Sequence, residues 1–487
     1  MRQEIQGLPA GSKLYFVGIG GISMSGLAEL ALVNGFEVCG SDTHASEHVE
    51  HLQGLGVLVF SEHLAAQVDS CRPDYVVYTA AIPSDNPELA RARERGIPCL
   101  DRAVFLGLLT ESFGRVLNIS GTHGKTTTTA LCSMLLLASR LNPTVHLGAR
   151  LKAFGNSTVH SGEPGRLLVS EACEFNNSFL SFRSTTALIT NIDLDHLDFF
   201  HDLDHIIEAF VGFAKKIEAG GSLVLPYAAP HMDAFCDRLR AARSEDLQLI
   251  FFGQEEDYAR GMEGYKPEDY PCYTVRKLRW VGGYPQFELL YPDGRSQEVS
   301  ARVPGLHNVY NIAAAVAAAD QEGLNAEVLP RVLAEFTGAD GRFTINGHFH
   351  GARLVSDYAH HPTACRATLA AARALPHNKL YVVLQPLTFA RVKLHFDEYL
   401  DCLEAQELGA VIFYEVYSDR EQENLGMSSR LLQEAYARRK PGVRSSFVQD
   451  YGQLKAELAS CLQEGDLVLF LGPEEVRSFG QRLAEEG

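Results

Sequence analysis

The sequence predicts an α/β protein with three α/β domains in series, and three features of the chain support this prediction. Apolar segments of strand length alternate with helical segments over most of the 487 residues, a pattern typical of parallel sheets covered by helices. Glycine-rich turns join a strand to a helix near residue 18 and again near residue 121. The length also suits about three domains of ordinary size. We expect these domains at residues 1–114, 115–337 and 338–487.

The composition is that of a globular protein of the cytoplasm. Apolar residues make up 46% of the chain and charged residues 21%, and no apolar run approaches the ~20 residues of a membrane helix. The apolar stretch at 14–22 is broken by glycine, which favours a first strand over a signal peptide. A net charge of −18 without a basic cluster argues against nucleic acid or an anionic membrane as partner. Ten scattered cysteines without a C-x-x-C pair favour free thiols in a reducing compartment.

The first predicted domain opens with a strand at 13–17, a glycine turn at 18–23 and a helix to about Asn34. A second strand at 35–40 leads to Asp42. This arrangement is typical of nucleotide-binding folds, but the dinucleotide fingerprint fails because Ser23 stands at its third glycine position. A tight turn without a ligand is the alternative. Further elements are predicted as strands at 57–60, 75–79 and 97–100 and a helix at 86–95.

The second predicted domain opens with a phosphate-binding loop. A buried strand at 115–119 precedes the loop, and an apolar helix at 128–140 follows it. Backbone N–H groups of such a loop point at anionic oxygens, while Lys125 would reach the outer phosphates and the Thr126 hydroxyl would hold Mg²⁺. The loop is shorter than the general G-x-x-x-x-G-K-[ST] pattern. A glycine turn with a surface lysine is the alternative. The loop residues are Gly121, Thr122, His123, Gly124, Lys125, Thr126 and Thr127.

Polar residues follow two predicted strands of this domain, at 166–169 and 186–189; a further strand is predicted at 221–225. Ligands of parallel sheets bind at the carboxyl ends of strands, so Glu171 and His196 are candidate metal groups. Histidine is a less usual ligand of Mg²⁺, and chemistry alone favours a structural or acid–base role for His196. The aspartates around it fit either a functional cluster or a solvated acidic turn; they are Asp193, Asp195 and Asp198.

A small antiparallel addition is predicted at 270–303, followed by a helix at 309–322. Asn308 and Asn311 lie one turn apart at its start, next to His307. Side-chain amides suit an adenine edge, although capping of the helix by Asn308 explains the same residues. In the third domain, strands are expected at 353–355, 380–384, 410–413 and 466–471. Arg342 could meet phosphate through its guanidinium fork, and Asp357 could accept from a ribose or orient a metal-bound water.

These motifs together resemble those of the Mur ligases, which join amino acids to the UDP-muramyl precursor of peptidoglycan. The resemblance covers nearly the whole chain and rests on residues 121–127, 171, 191–196, 307–311, 342 and 357. Segments 18–26, 85–88 and 357–363 resemble the branch of the family that joins L-alanine to UDP-N-acetylmuramate.

The resemblance implies that the first domain binds UDP, the second binds ATP, and the third closes over the site and helps to hold the amino acid. ATP would phosphorylate the substrate carboxylate, and the amine of alanine would attack the acyl phosphate. The implied catalytic residues are Lys125, Glu171, His196 and Arg342, with Mg²⁺ at Thr126, Glu171 and His196. The implied ATP contacts beyond the phosphate loop are His307, Asn308, Asn311, Arg342 and Asp357. The implied substrate contacts are Gly20, Gly21, Ser23, Met24, Ser25, Asp42, His361 and Arg391.

The sequence departs from the family in three places. Gly341-Arg342 stands where an arginine pair is usual, and 172–175 reads Ala-Cys-Glu-Phe where the family has an acidic segment. Leu387 and Phe389 replace a usual histidine and tyrosine, so the amino-acid pocket is altered, although Arg391 remains to pair with a substrate carboxylate. The alternatives are a recycling ligase that adds a peptide to the same sugar, a non-catalytic nucleotide-binding homologue, and a nicotinamide-dependent oxidoreductase. We expect a monomer or weak homodimer.

Overall fold

The computed structural model describes residues 8–9, 11–79, 82–196, 199–243, 246–418, 421 and 423–487. The chain divides into two compact units. The first comprises Met1–Leu194, Asp202–Thr274 and Ile312–Val328, and the second comprises Asp195–His201, Val275–Asn311 and Leu329–Gly487. Within the described residues the strands form three sheets that follow one another along the chain. The predicted α/β class with three sheet-containing domains is therefore confirmed, while the boundaries near 114 and 337 stay a prediction.

The first sheet is parallel and has the strand order β3-β2-β1-β4-β5. Every predicted element of this part is present, with bounds that differ by at most two residues. Its strands are β1 (Lys13–Val17), β2 (Glu37–Ser41), β3 (Leu58–Phe60), β4 (Tyr75–Tyr78) and β5 (Cys99–Asp101). Its helices are α1 (Ile22–Val33), α2 (Glu47–Gly54), α3 (Ala65–Cys71), α4 (Pro87–Glu94) and α5 (Arg102–Thr110).

The second sheet has the order β12-β11-β10-β6-β9-β7-β8 within the first unit. Its strands are β6 (Arg115–Ser120), β7 (Thr144–Leu151), β8 (Ser157–His160), β9 (Leu167–Glu171), β10 (Ser184–Ile189), β11 (Ile217–Pro226) and β12 (Gln248–Gln254). Its helices are α6 (Lys125–Ala138), α7 (Leu203–Ala214), α8 (Met232–Ala242) and α9 (Glu255–Arg260). Strand β6 is central and buried from residue 116 onwards, so it directs the phosphate loop out of the protein core.

Strand β13 (Cys272–Val281) carries the chain from the first unit into the second. The predicted antiparallel addition is confirmed by the pairing of β14 (Tyr284–Leu290) with β15 (Ser296–Ser300). Helix α10 (Leu306–Gln321) and helix α11 (Leu329–Glu335) follow. Helix α10 starts three residues before its predicted start, a difference that matters for the role of Asn308.

The third sheet has the order β16-β17-β21-β18-β19-β20, with β16 antiparallel at one edge and the other neighbours parallel. Its strands are β16 (Thr344–Phe349), β17 (Ala352–Asp357), β18 (Leu380–Leu384), β19 (Ala410–Tyr414), β20 (Arg444–Val448) and β21 (Leu467–Leu471). Its helices are α12 (Pro362–Ala374), α13 (Phe389–Leu394), α14 (Phe396–Glu404), α15 (Ser429–Arg439), α16 (Tyr451–Ala459) and α17 (Glu474–Glu486).

All ten cysteines are free thiols, as the sequence predicts. No helix among the described residues is both long enough and apolar enough to cross a membrane.

Candidate active site

The phosphate loop joins β6 to α6 and has a backbone that needs glycine at both ends. Gly121 has a φ of 127°, and a Cβ there would lie 2.1 Å from the Thr190 hydroxyl oxygen. Gly124 has a φ of 85° and forms the N-cap of α6. The helix therefore begins at Lys125, three residues before the predicted start, because Lys125, Thr126 and Thr127 form its first turn. The N–H groups of a helix's first turn and the positive end of the helix dipole favour an anion at such a position.

The loop is held against the end of β10 by a set of hydrogen bonds. Asn191 accepts from the His123 N–H at 2.9 Å through its side-chain oxygen and donates to the His123 carbonyl at 2.8 Å. The Thr122 hydroxyl accepts from the Asp193 N–H at 2.9 Å, and the His123 ring lies 3.3 Å from the Asp193 carboxylate. Two predicted strand ends thus meet at the loop, as expected for a parallel sheet.

Lys125 is mostly buried and bends back over its own loop. Its ammonium donates to the carbonyls of Gly121 at 2.5 Å and Thr122 at 3.2 Å. It also forms an ion pair with Glu174, at 2.8 Å to the nearer carboxylate oxygen. Burial disfavours the charged lysine, but the Glu174 carboxylate outweighs it, so the pKa of Lys125 is raised. The lysine is therefore a fixed positive charge at the mouth of the loop, and the surface-lysine alternative is wrong.

Thr126 and Glu171, two of the predicted metal ligands, are adjacent. The Thr126 hydroxyl donates to one Glu171 carboxylate oxygen at 3.1 Å, and the other oxygen accepts from the Gly148 N–H at 2.7 Å. The carboxylate is thereby fixed beside the first turn of α6. The third predicted ligand, His196, lies in the second unit with a φ of 55°, so its membership of this set stays a prediction.

The glycine turn after β1 brings several predicted substrate residues together. The Gly20 N–H donates to the Asp42 carboxylate at 2.8 Å, so the turn is fixed to the end of β2. The Ser23 hydroxyl accepts from Arg102 at 3.0 Å. Of the remaining predicted contacts, Met24 and Ser25 are buried in α1 and Gly21 is its exposed N-cap. The turn therefore presents backbone and small polar groups close to a guanidinium.

Arg391 and Asp195 form a buried ion pair in the second unit. The guanidinium donates to one Asp195 oxygen through two nitrogens, at 2.7 and 3.2 Å, and to the Leu387 carbonyl at 3.1 Å. Burial disfavours the carboxylate, but His196 and Arg391 hold the pKa of Asp195 well below its ordinary value. The solvated-turn alternative is therefore wrong for Asp195, which is 6% exposed. Asp198 lies outside the described residues.

His361 caps the N-terminus of α12 by accepting from the Thr363 N–H at 3.3 Å. Its other ring nitrogen lies 3.3 Å from the His395 ring, and both rings are buried. His361, His395 and Arg391 all belong to the second unit, in which Leu387 is also 7% exposed. The imidazole pair therefore lies in the same unit as Leu387 and Arg391, while the altered amino-acid pocket stays a prediction.

The predicted adenine residues share the start of α10. The Asn311 amide donates to the Asn308 side-chain oxygen at 3.0 Å, and the Asn308 amide donates to the Pro304 carbonyl at 2.7 Å. Since the helix begins at Leu306, Asn308 is inside its first turn and does not act as its cap, so the capping alternative is wrong. Burial lowers the pKa of His307, and the carboxylate of Asp357 opposes that change.

Arg342 and Asp357 lie at the open end of the hairpin formed by β16 and β17, Arg342 just before β16 and Asp357 at the end of β17. Asp357 accepts from the Phe343 N–H at 2.7 Å and the Ala359 N–H at 2.8 Å. The Arg342 guanidinium lies 4.7 Å from the centre of the Tyr358 ring and donates to the Gly341 carbonyl at 3.2 Å. The Asp357 carboxylate therefore fixes the backbone that presents Arg342.

Sequence reasoning missed the role of Glu174. It noted this residue only as part of an altered acidic segment, whereas the structure makes it the partner of Lys125, 2% exposed. The signal was a carboxylate shortly after the end of β9, close to Glu171, which is the last residue of that strand. Sequence reasoning also missed His395 and Arg477, because the residues that they contact, His361 and Tyr358, are far away in the sequence.

A glycine loop between a buried strand and a lysine-bearing helix places this chain among the phosphate-binding α/β proteins. Within that class, three family models match it in succession: the Mur ligase family catalytic domain at residues 13–114, the Mur ligase middle domain at 119–319, and the Mur ligase glutamate ligase domain at 341–473. The chain belongs to the Mur ligase family, whose members are ATP-dependent ligases. The resemblance found in the sequence motifs is confirmed.

Curated relatives match almost the full length of the chain. The UDP-N-acetylmuramate–L-alanine ligase of Lachnospira eligens is 38% identical over 470 residues, covering 96% of this chain and 97% of that protein. The ligase of the same name from Acetivibrio thermocellus is 35% identical over 474 residues, covering 97% and 96%.

Solved structures agree with this assignment of the fold. The UDP-N-acetylmuramate-alanine ligase of Thermotoga maritima has a TM-score of 0.77 at 26% identity, covering 98% of this chain and 99% of that chain. A murein peptide ligase from Psychrobacter arcticus has a TM-score of 0.70 at 21% identity, covering 97% and 98%. The second likeness is one of fold alone.

Proposed function

We propose that this protein is an ATP-dependent ligase that joins L-alanine to UDP-N-acetylmuramate through an acyl phosphate, in the synthesis of peptidoglycan precursors. The observation that carries the proposal is the near-full-length similarity to curated ligases of that name, at 34–38% identity. The free thiols and the need for ATP suit the cytoplasm. The residues at the phosphate loop supply the matching chemistry.

The first step transfers the γ-phosphoryl group of ATP to the muramate carboxylate, giving an acyl phosphate and ADP. Lys125 is the residue that acts on the transferring group, because its charge is fixed beside the loop and such cations act on charge spread over the phosphoryl oxygens. The N–H groups at the start of α6 hold the remaining phosphates. Arg342 is proposed as a further catalytic residue on family resemblance.

The residues present fit a Mg²⁺ ion. Thr126 and Glu171 offer a hydroxyl and a carboxylate 3.1 Å apart, and both are the hard oxygen donors that Mg²⁺ takes. When bound, the ion would neutralise charge on the phosphate oxygens. The Gly148 N–H holds the Glu171 carboxylate in place for this role. His196 is proposed as a further ligand on family resemblance.

In the second step the amine of L-alanine attacks the acyl carbonyl, the tetrahedral intermediate collapses, and an amide and inorganic phosphate form. We propose Arg391 as the partner of the alanine carboxylate, since its guanidinium suits a planar carboxylate. Arg391 is also bound to Asp195 in the structure. We propose that His307, Asn308 and Asn311 bind the adenine of ATP. The turn after β1, Asp42 and His361 are proposed as contacts of the other two substrates, the sugar nucleotide and the amino acid.

The reaction is tested by following phosphate release and product mass with ATP, Mg²⁺, UDP-N-acetylmuramate and L-alanine. We expect one phosphate per amide, and no phosphate when any one substrate is omitted. The acyl phosphate is tested with UDP-N-acetylmuramate labelled with ¹⁸O in its carboxylate, because one labelled oxygen must then appear in the released phosphate. Turnover without ¹⁸O transfer would contradict the acyl-phosphate route, and absence of turnover would contradict the ligase.

A further inference from the structure

Gly341 precedes Arg342 and leaves a space that another part of the chain fills. Gly341 has a φ of 67°, and a Cβ built on it would lie 1.9 Å from a terminal nitrogen of Arg477 and 2.7 Å from its guanidinium carbon. Arg477 belongs to the first turns of α17, far along the chain from residue 341. The guanidinium of Arg477 therefore occupies the volume that a side chain at 341 would enter.

Arg342 and Arg477 contact the same aromatic ring. Their guanidinium carbons lie 4.7 and 5.4 Å from the centre of the Tyr358 ring. Both Arg342 and the Tyr358 N–H donate to the carbonyl of Gly341, at 3.2 and 2.9 Å. Two guanidinium groups from separate elements thus converge on one peptide group and one ring.

The position of Arg477 is fixed by packing of its helix. The Ser356 hydroxyl at the end of β17 donates to the Arg477 carbonyl at 3.2 Å. One turn further along α17, a Cβ on Gly480 would lie 2.8 Å from the same hydroxyl. The helix backbone therefore lies directly on the sheet, and the guanidinium is held at a defined place.

The charge of Arg477 is incompletely neutralised. Its Nε is buried and has no hydrogen-bond partner among the described residues. Burial, followed by the positive charge of Arg342, lowers the pKa of Arg477, and the smaller effects of Asp340, Glu474 and Tyr358 oppose this change. A buried charged donor without a partner is costly, and an anion placed between two guanidinium groups would relieve that cost.

We propose that Arg342 and Arg477 form one anion-binding pair that receives phosphate oxygens of ATP, with Arg477 supplying the guanidinium where residue 341 has no side chain. The inference rests on the proposed function, because it names ATP as the source of the anion. Arg477 is then a substrate-contacting residue and does not serve only as packing for Tyr358. A purely structural role predicts lower stability and an unchanged ATP affinity.

The test measures Kd for ATP by titration and KM for ATP and L-alanine in the full-length variants Arg477→Gln and Arg477→Lys. Arg482→Gln is the matched control, since Arg482 lies on the same helix and stacks instead on Tyr451 at 3.9 Å. We expect Arg477→Gln to raise the Kd and KM for ATP about tenfold or more, with the KM for L-alanine changed less than twofold. Arg477→Lys should recover part of the loss, and the control should match the wild type.

An ATP Kd within twofold of the wild type in a normally melting Arg477→Gln variant would overturn the inference and leave the ligase intact. If the wild type neither binds ATP nor ligates, the proposed function and the inference both fail.

A second comparison uses Gly341→Arg with and without Arg477→Gly. We expect the single variant to bind ATP more weakly than the double variant, because the introduced side chain and Arg477 would compete for one space. A double variant that binds ATP no better than the single variant would overturn the inference.

Discussion

At the scale of single residues, Lys125 combines a proposed catalytic role with a structural one. Its ammonium is the partner of Glu174, a carboxylate that is 2% exposed. Lys125→Ala should lower the rate by on the order of 10² or more through loss of the charge at the transferring phosphoryl group. It should also destabilise the protein, by about 3–5 kcal/mol, because it leaves a buried carboxylate without its partner.

The double variant Lys125→Ala/Glu174→Gln separates these effects. Replacing the carboxylate by an amide removes the unpaired charge, so most of the lost melting temperature should return while the activity does not. Thermal unfolding and phosphate release, measured on the same samples, check both statements. Recovery of activity together with stability would mean that Lys125 serves the fold and not the chemistry.

His146 on β7 should make the stability depend on pH. Burial, followed by the positive charge of Arg102, lowers its pKa from 6.5 to about 4. Below pH 6.5 the unfolded chain binds a proton that the folded protein excludes, so stability falls as the pH drops from 6.5 towards 4. The loss from this residue should approach about 3 kcal/mol at the lower limit.

His146→Leu has no titrating group and should lose this part of the pH dependence, which urea unfolding at pH 7, 6 and 5 would measure. His44→Asn is the matched control, because the side chain of His44 is 90% exposed. Equal slopes of stability against pH in the wild type and His146→Leu would contradict the burial argument.

At the scale of elements, the close approach of α5 to the chain at Ser181 depends on a glycine. A Cβ on Gly107 would lie 2.3 Å from the Ser181 carbonyl oxygen, so Gly107→Ala should force the two segments apart and cost about 1–3 kcal/mol. Gly54→Ala at the end of α2 is the control, because no atom lies within 4 Å of its added Cβ. Urea unfolding of both variants checks this, and an equally stable Gly107→Ala would refute the packing argument.

The strands show how much of the secondary structure could be predicted from the sequence. Continuous apolar runs identified the central strands, such as β18 at its observed bounds (Leu380–Leu384). Five strands were missed: β7, β8, β12, β16 and β20. Strands β16 and β20 are edge strands, and their polar residues reflect a solvated face and not a buried run. Strand β7 was missed because His146, Gly148 and Arg150 interrupt its apolar pattern. Two of these residues bind neighbouring elements: the Gly148 N–H donates to Glu171, and Arg150 pairs with Glu47.

At the scale of the whole molecule, sequence patterns predicted those residues of the proposed site that belong to a local motif, but they did not predict which distant residues contact each other. The phosphate loop and Glu171 follow from strand ends, but the Lys125–Glu174 pair joins residues 49 apart and the Arg391–Asp195 pair joins residues 196 apart. Spacing along the chain carries no information on such contacts. The net charge of −18 is equally uninformative about anionic substrates, because binding depends on a few local cations.

Amino-acid selection tests the central claim most directly, since it distinguishes this ligase from others with the same ATP chemistry. The measurement is a competition: the enzyme, ATP, Mg²⁺ and UDP-N-acetylmuramate with equimolar L-amino acids and a muramyl-type tripeptide, followed by mass analysis of the amide products. A small apolar pocket discriminates one methylene by only ~1–3 kcal/mol. We therefore predict the L-alanine product as the main species, with minor glycine and L-serine products. A dominant acidic, bulky or peptide product, or no amide at all, would contradict the account.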